Sequence, residues 1–275
     1  MKKMDLKRLI TGLVGFPIVM FIFIMGNKYL IDVLMAGVAI VSMYEYIKCV
    51  SNKVKVVKWI SYLSVASIAL IHVIPPELLG KIIPMCLPVL ILILFLHVII
   101  SNMKISFEDI AYTLMGIVYV FCTLVFIPIL FGTEGAVPGK ILVWYILFSA
   151  WGTDIFAYLV GRNFGKHKFS KVSPNKSIEG CIGGLVGSVI MSLCFTFAVN
   201  YFGNFEISYV AIGLICACLS AIGQIGDFSA SSIKRHFDVK DFSNLFPGHG
   251  GMLDRIDSVM FIAPFACMLL TMFAI

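Results

Sequence analysis

Charge is what this sequence has least of. Aspartate, glutamate, lysine and arginine make up 13% of its 275 residues, against 60% hydrophobic, and the mean hydropathy is +1.00. A chain so poor in charge cannot cover a water-soluble core, which excludes an ordinary soluble globule and points to a polytopic membrane protein. Closely spaced cysteines are also lacking. The eight cysteines (49, 86, 122, 181, 194, 216, 218 and 267) lie mostly within apolar runs, and Cys216 and Cys218 form the only close pair. That pattern argues against a disulfide framework or a zinc ribbon and reads as small buried hydrophobes. The histidines do not assemble into a zinc set either. No Ala-x-Ala-like cleavage site follows the apolar run after Lys2, Lys3, Lys7 and Arg8, so that run is expected to stay as a first span. No internal repeat, low-complexity tail or soluble-domain stretch is visible. A single membrane domain over 1–275 is expected, with N-terminal helices in 1–105 and the chemistry-bearing helices and loops in 106–275. A net charge of +6 could suit nucleic acid, but the placement of the charges favours a membrane, and no nucleic-acid partner is expected.

What is present is a series of apolar runs of spanning length. They fall at about 9–26, 29–47, 59–74, 82–100, 110–131, 141–161, 181–200, 207–225 and 256–275. The expected fold is therefore all-α with about nine transmembrane helices. The third run is short and is expected to tilt or dip. With the N-terminus in the cytoplasm, 18 of the 21 lysines and arginines fall on inside segments, and only Lys28, Lys81 and Lys140 stay outside. This bias predicts a cytoplasmic N-terminus and an outside C-terminus. It also puts the two large polar segments, 162–180 and 226–257, on the cytoplasmic face, where nucleotides are. Glu45, near a cytoplasmic helix end, reads as a snorkelling or loop-facing carboxylate.

The charge that exists is concentrated. Between Gly226 and Ser258 lie Asp227, Asp238, Asp241, Asp254, Asp257, Lys234, Arg235, Lys240, Arg255, His236 and His249, together with the turn Pro247-Gly248-His249-Gly250-Gly251. Carboxylates beside cations and glycines are what a site needs to hold a metal and phosphates. If the eighth span continues as a helix, Asp227, Ser231 and Lys234/Arg235 share one face at i, i+4 and i+7/i+8. Lys234 and Arg235 could equally be juxtamembrane cations touching headgroups. Asp227 lies in the last apolar turn, where a carboxylate is costly unless paired or bound to a cation. Asp254 and Asp257 share a face at i, i+3. Alone they would be ordinary helix-start charges. With Asp227 they make a plausible carboxylate site for Mg²⁺, with nucleotide phosphates as further ligands. His249 reads as a turn residue or a phosphate contact.

Asp154 is an acid inside the sixth span, followed by Tyr158 and Gly161 on the same polar stripe. An intramembrane acid is a functional candidate by default, against the alternative of a structural hydrogen bond. The loop that follows is basic and rich in hydroxyls, and it ends at a helix start beside Lys176 and Ser177, which is an anion-binding arrangement as well as an ordinary cap.

The pattern Ser231-x-Ile-Lys-Arg235-x4-Lys240-Asp241-x4-Phe246-Pro-x-His249-Gly-Gly-x2-Asp254-Arg-x-Asp257 resembles the signature of the phosphatidate cytidylyltransferases, the CDP-diacylglycerol synthases, without departure at its fixed positions. Gly226-Asp227, Ser173-Pro-x-Lys176-Ser-x-Glu179-Gly and Asp154 before Tyr158 and Gly-Arg162 are similar to that family too. The first hundred residues match only as generic spans. The resemblance implies condensation of CTP with phosphatidate into CDP-diacylglycerol and pyrophosphate, with Mg²⁺ required and a monovalent cation such as K⁺ allowed beside it. It implies Asp227 and Asp254 on the metal, with Asp257 and Asp154 as supporting or nucleotide-side acids. Lys234, Arg235 and Lys176 would bind phosphates, with Ser231 and His249 as hydrogen-bonders. Ser177, Lys240, Gly250, Gly251 and Arg255 complete the expected substrate contacts. The expected setting is the inner or plasma membrane, with the site facing the cytoplasm, membrane lipids around it, and a homodimer left open. The alternatives are another CTP-using lipid enzyme such as a polyprenol kinase, a transporter lined by Asp154, Asp227 and Asp254, and a non-catalytic scaffold.

Overall fold

The computed structural model describes residues 17, 19–169, 173, 176–246, 248 and 250–273. These are helical, with no strand among them and only two isolated bridges, Lys168–Ser177 and Phe246–Gly250. Seven of the helices are long and apolar enough to cross a membrane, so an all-helical, multi-pass architecture is what the structure supports. The predicted run at 9–26 lies largely outside the described residues; residues 19–25 are helical. The predicted run at 59–74 is a shorter apolar helix, Lys58–Leu70, which falls below the ~20 residues needed to cross a bilayer upright. None of the eight cysteines, all of them among the described residues, forms a disulfide. Four of them, Cys86, Cys122, Cys194 and Cys218, are exposed instead of buried. Their exposure follows from the membrane setting, because an apolar thiol is as well placed on a lipid-facing helix surface as in a core.

The chain divides into two compact units. The first holds α1 (Lys28–Val50), α2 (Lys58–Ala66) with a 3₁₀ turn at Ser67–Leu70, α3 (Pro76–Ile100), α4 (Phe107–Leu124) and the returning segment Phe242–Met252. α1 is its centre. Asn27 caps it by accepting from the Leu30 N–H at 2.9 Å. Tyr46 lies against Gly116 of α4, where no side chain could fit, and its hydroxyl donates to the Tyr112 carbonyl at 2.9 Å. The α1–α2 link is tied to α4: Lys55 N–H donates to Asp109 Oδ1 at 2.6 Å and Val57 N–H to Thr113 Oγ1 at 3.0 Å. Asp109 is free to do this because it also forms the capping box of α4 with Ser106. Asp32 has 0% exposure and accepts from the His72 backbone N–H at 3.2 Å, with His72 Nδ1 2.7 Å away. α3 buries only Leu94, the pattern of a helix whose apolar surface faces lipid.

α5 (Phe126–Phe131) runs across the boundary between the units. The second unit holds α6 (Gly139–Phe164), α7 (Ile178–Gly203), α8 (Tyr209–His236) and α9 (Leu253–Phe273). α6 and α7 approach closely because α7 carries glycines where α6 side chains stand: Gly183 faces Val160, Gly184 faces Thr153 and Gly187 faces Phe156. In lipid no hydrophobic force drives helices together, so such close backbone contact, with interhelical hydrogen bonds, supplies the cohesion. Those bonds join Tyr145 Oη to Thr196 Oγ1 at 2.9 Å, Thr153 Oγ1 to Ser220 Oγ at 2.6 Å, and Gln224 Nε2 to the Cys181 carbonyl at 3.1 Å. α8 and α9 touch through Gly223, against Ile262, and Gly226, against the Asp257 carbonyl and Phe261. This packing decides where the acids go.

Candidate active site

α8 runs unbroken to His236, so Asp227 and Lys234 occupy one helix seven residues apart. Gly226 lets α9 approach at that level, and Asp257 sits on the facing turn of α9. The start of α7 supplies the next partner. Ser177 caps α7 by accepting from Gly180 N–H at 3.1 Å, and Glu179 holds the preceding loop through the Lys166 and His167 N–H groups and the His167 ring. The loop closes back on itself, with Phe169 N–H donating to the Lys176 carbonyl at 3.1 Å. Lys176 is thereby aimed at α8. Its ammonium donates to Asp227 Oδ2 and lies 4.3 Å from the centre of the Phe228 ring, which stacks on Phe169 at 4.7 Å. Cation–aromatic contact and ion pair together fix one lysine.

Lys234, one helical segment further, donates to Asp254 Oδ1 at 2.6 Å, with side-chain exposures of 11% and 5%. The Lys176–Asp227 pair is more open, at 28% and 27%. Asp154 on α6 lies within electrostatic reach of Asp227, Lys176 and Arg255; Asp257 lies within reach of Asp227, Asp154 and Lys234. The Asp257 Oδ1 also accepts from Ser258 N–H at 2.7 Å. Asp154 is exposed although it sits ten residues before the end of a membrane-length helix. Since an unpaired acid in hydrocarbon is costly, its surroundings must be polar, and the neighbouring acids and cations provide them. Four acids from three helices, Asp154, Asp227, Asp254 and Asp257, and several cations thus occupy one region of the second unit. Beside it an open, apolar cavity of about 680 Å³ runs between α7 and α8, lined by Ile178, Ile182, Leu185, Ile225 and Phe228.

Of the other residues singled out in the sequence, Ser177 is buried as the α7 cap, while Arg235, Lys240 and Arg255 are exposed and Ser231 is half-buried. His249 lies outside the described residues. Gly250 and Gly251 belong to the first unit. There the loop turns through Gly248 and Gly250, at φ 80° and 81°, and Phe246 N–H donates to the Gly250 carbonyl at 2.9 Å. These positive φ values are ones that side chains resist, which is why glycine stands there. Glu45 faces this loop but does not snorkel. It is 1% exposed, and its Oε1 accepts from Ser243 Oγ at 2.5 Å and from Met252 N–H at 2.9 Å. Nothing in the sequence pattern marks it, because its partners are about 200 residues away.

A hard divalent cation is compatible with this donor set. Among the described residues no three acids, histidines or cysteines form a cage. Magnesium, however, is commonly held by one or two carboxylates with waters and substrate phosphates, and carboxylates near lysines are what the second unit offers.

The chain matches the family model described as "Cytidylyltransferase family" over residues 6–273. Relatives named phosphatidate cytidylyltransferase include one from Staphylococcus aureus (strain COL), 41% identical over 63% of this chain and 64% of that protein. A second, from Bacillus subtilis (strain 168), is 35% identical over 67% and 66%. A third, from Staphylococcus haemolyticus (strain JCSC1435), is 40% identical over 65% of each chain. The matched stretch covers just under two thirds of the length of these relatives. With a family match that runs through both units, from the first apolar run to the end of α9, the chain belongs to the cytidylyltransferase family.

Proposed function

We propose that the protein is a phosphatidate cytidylyltransferase that makes CDP-diacylglycerol and pyrophosphate from CTP and phosphatidate. The observation that carries this reading is the cluster of acids and lysines at the ends of apolar helices. Lys176 meets Asp227 and Lys234 meets Asp254, with Asp154 and Asp257 close to Asp227. A phosphate oxygen of the lipid attacks the α-phosphorus of CTP. A new P–O bond forms there, and the bond to the β-phosphate oxygen breaks, with its electron pair leaving on pyrophosphate. The lipid phosphate is a monoester largely ionised at neutral pH, its second pKa being about 6, so no protein base is needed.

Two polyanions must be brought together, and such transfers depend on positioning and on neutralising charge. Lys176, Lys234, Arg235 and Arg255 supply positive charge for the phosphates, Ser231 and His249 supply hydrogen bonds, and Gly250 and Gly251 let backbone N–H groups come near. Ser177 and Lys240 support the same substrates. Asp227 and Asp254 would hold Mg²⁺, with Asp154 and Asp257 as neighbouring acids; K⁺ is compatible beside it. When bound, the metal offsets the charge of the triphosphate. The apolar cavity between α7 and α8 gives an acyl chain a place beside Lys176.

In this reading the protein spans the plasma membrane with its N-terminus and the site in the cytoplasm: with all nine predicted runs crossing, the short third one included, 18 of the 21 basic residues fall on that side. The test is product analysis with purified protein in detergent, labelled CTP, phosphatidate and Mg²⁺. CDP-diacylglycerol and pyrophosphate are expected, and Asp227→Asn and Asp254→Asn should each nearly abolish turnover in folded protein. No labelled lipid from the wild type would end the proposal. Full activity in both variants would remove the metal assignment.

A further inference from the structure

We infer that Glu45 is a positioning residue: its buried carboxylate sets the shape of the glycine loop that, on the reading above, meets the phosphates of the nucleotide. Glu45 stands on a buried stretch of α1. Its neighbours Met43, Tyr46 and Ile47 are buried, and Tyr46 is tied to α4 by its hydroxyl. From there Oε1 grips the segment Phe242–Met252 at both ends, accepting from Ser243 Oγ and from the Met252 N–H. Between those two anchors lie the left-handed glycines Gly248 and Gly250.

The fit is close. A Cβ at Gly251 would stand 2.6 Å from both Glu45 carboxylate oxygens, nearer than atoms can approach without movement. So the absence of a side chain at Gly251 and the presence of a carboxylate at 45 are two halves of one arrangement. Consecutive loop N–H groups near positive-φ glycines can form a concave anion site. Such a site holds its shape only if something satisfies and fixes its ends. A carboxylate does both, since bonds to an ionised acceptor are stronger than neutral ones. The length of the glutamate side chain also matters, because an aspartate at 45 would fall one methylene short of both donors.

The test uses the full chain in detergent, on the monodisperse fraction, with Glu45→Ala, Glu45→Asp and Glu45→Gln. CTP affinity is read by calorimetry, and KM for CTP, KM for phosphatidate and kcat by product formation. Glu45→Ala and Glu45→Asp are expected to weaken CTP binding and to lower kcat/KM for CTP on the order of 100-fold, the scale of a misplacement near 1 Å. KM for phosphatidate should be unchanged. Glu45→Gln keeps an oxygen within reach of both donors and should recover most of the loss, which a need for negative charge alone would not allow. If Glu45→Ala does not fold, the contrast between Asp and Gln decides. The inference is overturned if Glu45→Asp binds CTP as the wild type does, if Asp rescues as well as Gln, or if both KM values rise together. A wild type that binds CTP without making CDP-diacylglycerol would remove the proposed function, while the Glu45 variants would still be decided by affinity. A wild type that binds no CTP would remove both.

Discussion

Gly226→Ala adds one methyl group where α8 meets α9, next to Asp227. A Cβ there would lie 2.7 Å from the backbone carbonyl oxygen of Asp257 and 3.0 Å from Phe261, where ordinary contact begins near 3.4 Å. The carbonyl cannot rotate away as a side chain would, so α9 must retreat by about 0.7 Å at Asp257. Overpacking of this size costs roughly 1–3 kcal/mol. Alanine in a helix returns about 0.5–1 kcal/mol relative to glycine. The net loss then lies between about 0 and 2.5 kcal/mol, a fall in Tm of up to roughly 10 °C for a domain of this size. Activity should suffer more than stability. A shift approaching 1 Å beside proposed catalytic acids is expected to lower kcat between roughly 10- and 100-fold. Gly37→Ala is the matched control, since nothing lies within 4 Å of a Cβ there. It should leave turnover unchanged and Tm unchanged or slightly raised. The assay is CDP-diacylglycerol formation and thermal unfolding in the same detergent. A Gly226→Ala protein with the turnover and Tm of the control would refute the argument that this contact sets the position of Asp257.

Lys176→Met keeps an unbranched side chain but removes the ammonium from both Asp227 and the Phe228 ring. Because that pair is partly open to solvent, stability should change by less than about 1 kcal/mol, while KM for a phosphate-bearing substrate rises; a KM equal to that of the wild type would remove Lys176 from the site. Chelation with EDTA should abolish turnover, and added Mg²⁺ should restore it where Na⁺ does not; activity that survives exhaustive chelation would exclude the metal requirement. Asp32→Ala strands the half-buried His72 N–H, at a cost of about 1 kcal/mol or more, visible as a lower Tm. The folded fraction should turn over normally, because Asp32 acts only on the turn at His72; a kinetic defect at normal Tm would contradict that separation.

Much of the second unit was legible in the sequence. Asp227 stood out because a carboxylate in an apolar turn needs a partner, and Lys176 Nζ is that partner. The shared face of Asp227, Ser231 and Lys234 was conditional on the eighth span continuing as a helix, and α8 does run on to His236. Asp154 was flagged as an acid inside a span and stands in reach of Asp227 and Arg255. Other features were not legible. Glu45 read as a helix-end carboxylate, and its bonds to Ser243 and Met252 depend on a return of the chain that local pattern does not encode. Likewise the pairing of Lys234 with Asp254 joins residues twenty positions apart, and spacing alone had grouped that lysine with phosphates.

The sequence by itself determined the solvent. With charge so sparse and apolar runs so long, helices that satisfy their own backbone result, and most of the charged residues, Asp154 excepted, gather towards their ends. The tertiary structure decided which of those charges meet. That depends on how closely helices approach, and close approach is set by glycines at 183, 184, 187, 223 and 226 facing particular side chains and carbonyls across the gap. A glycine's place in a pattern is visible in one dimension, whereas the atom that fills the space it leaves belongs to a distant part of the chain.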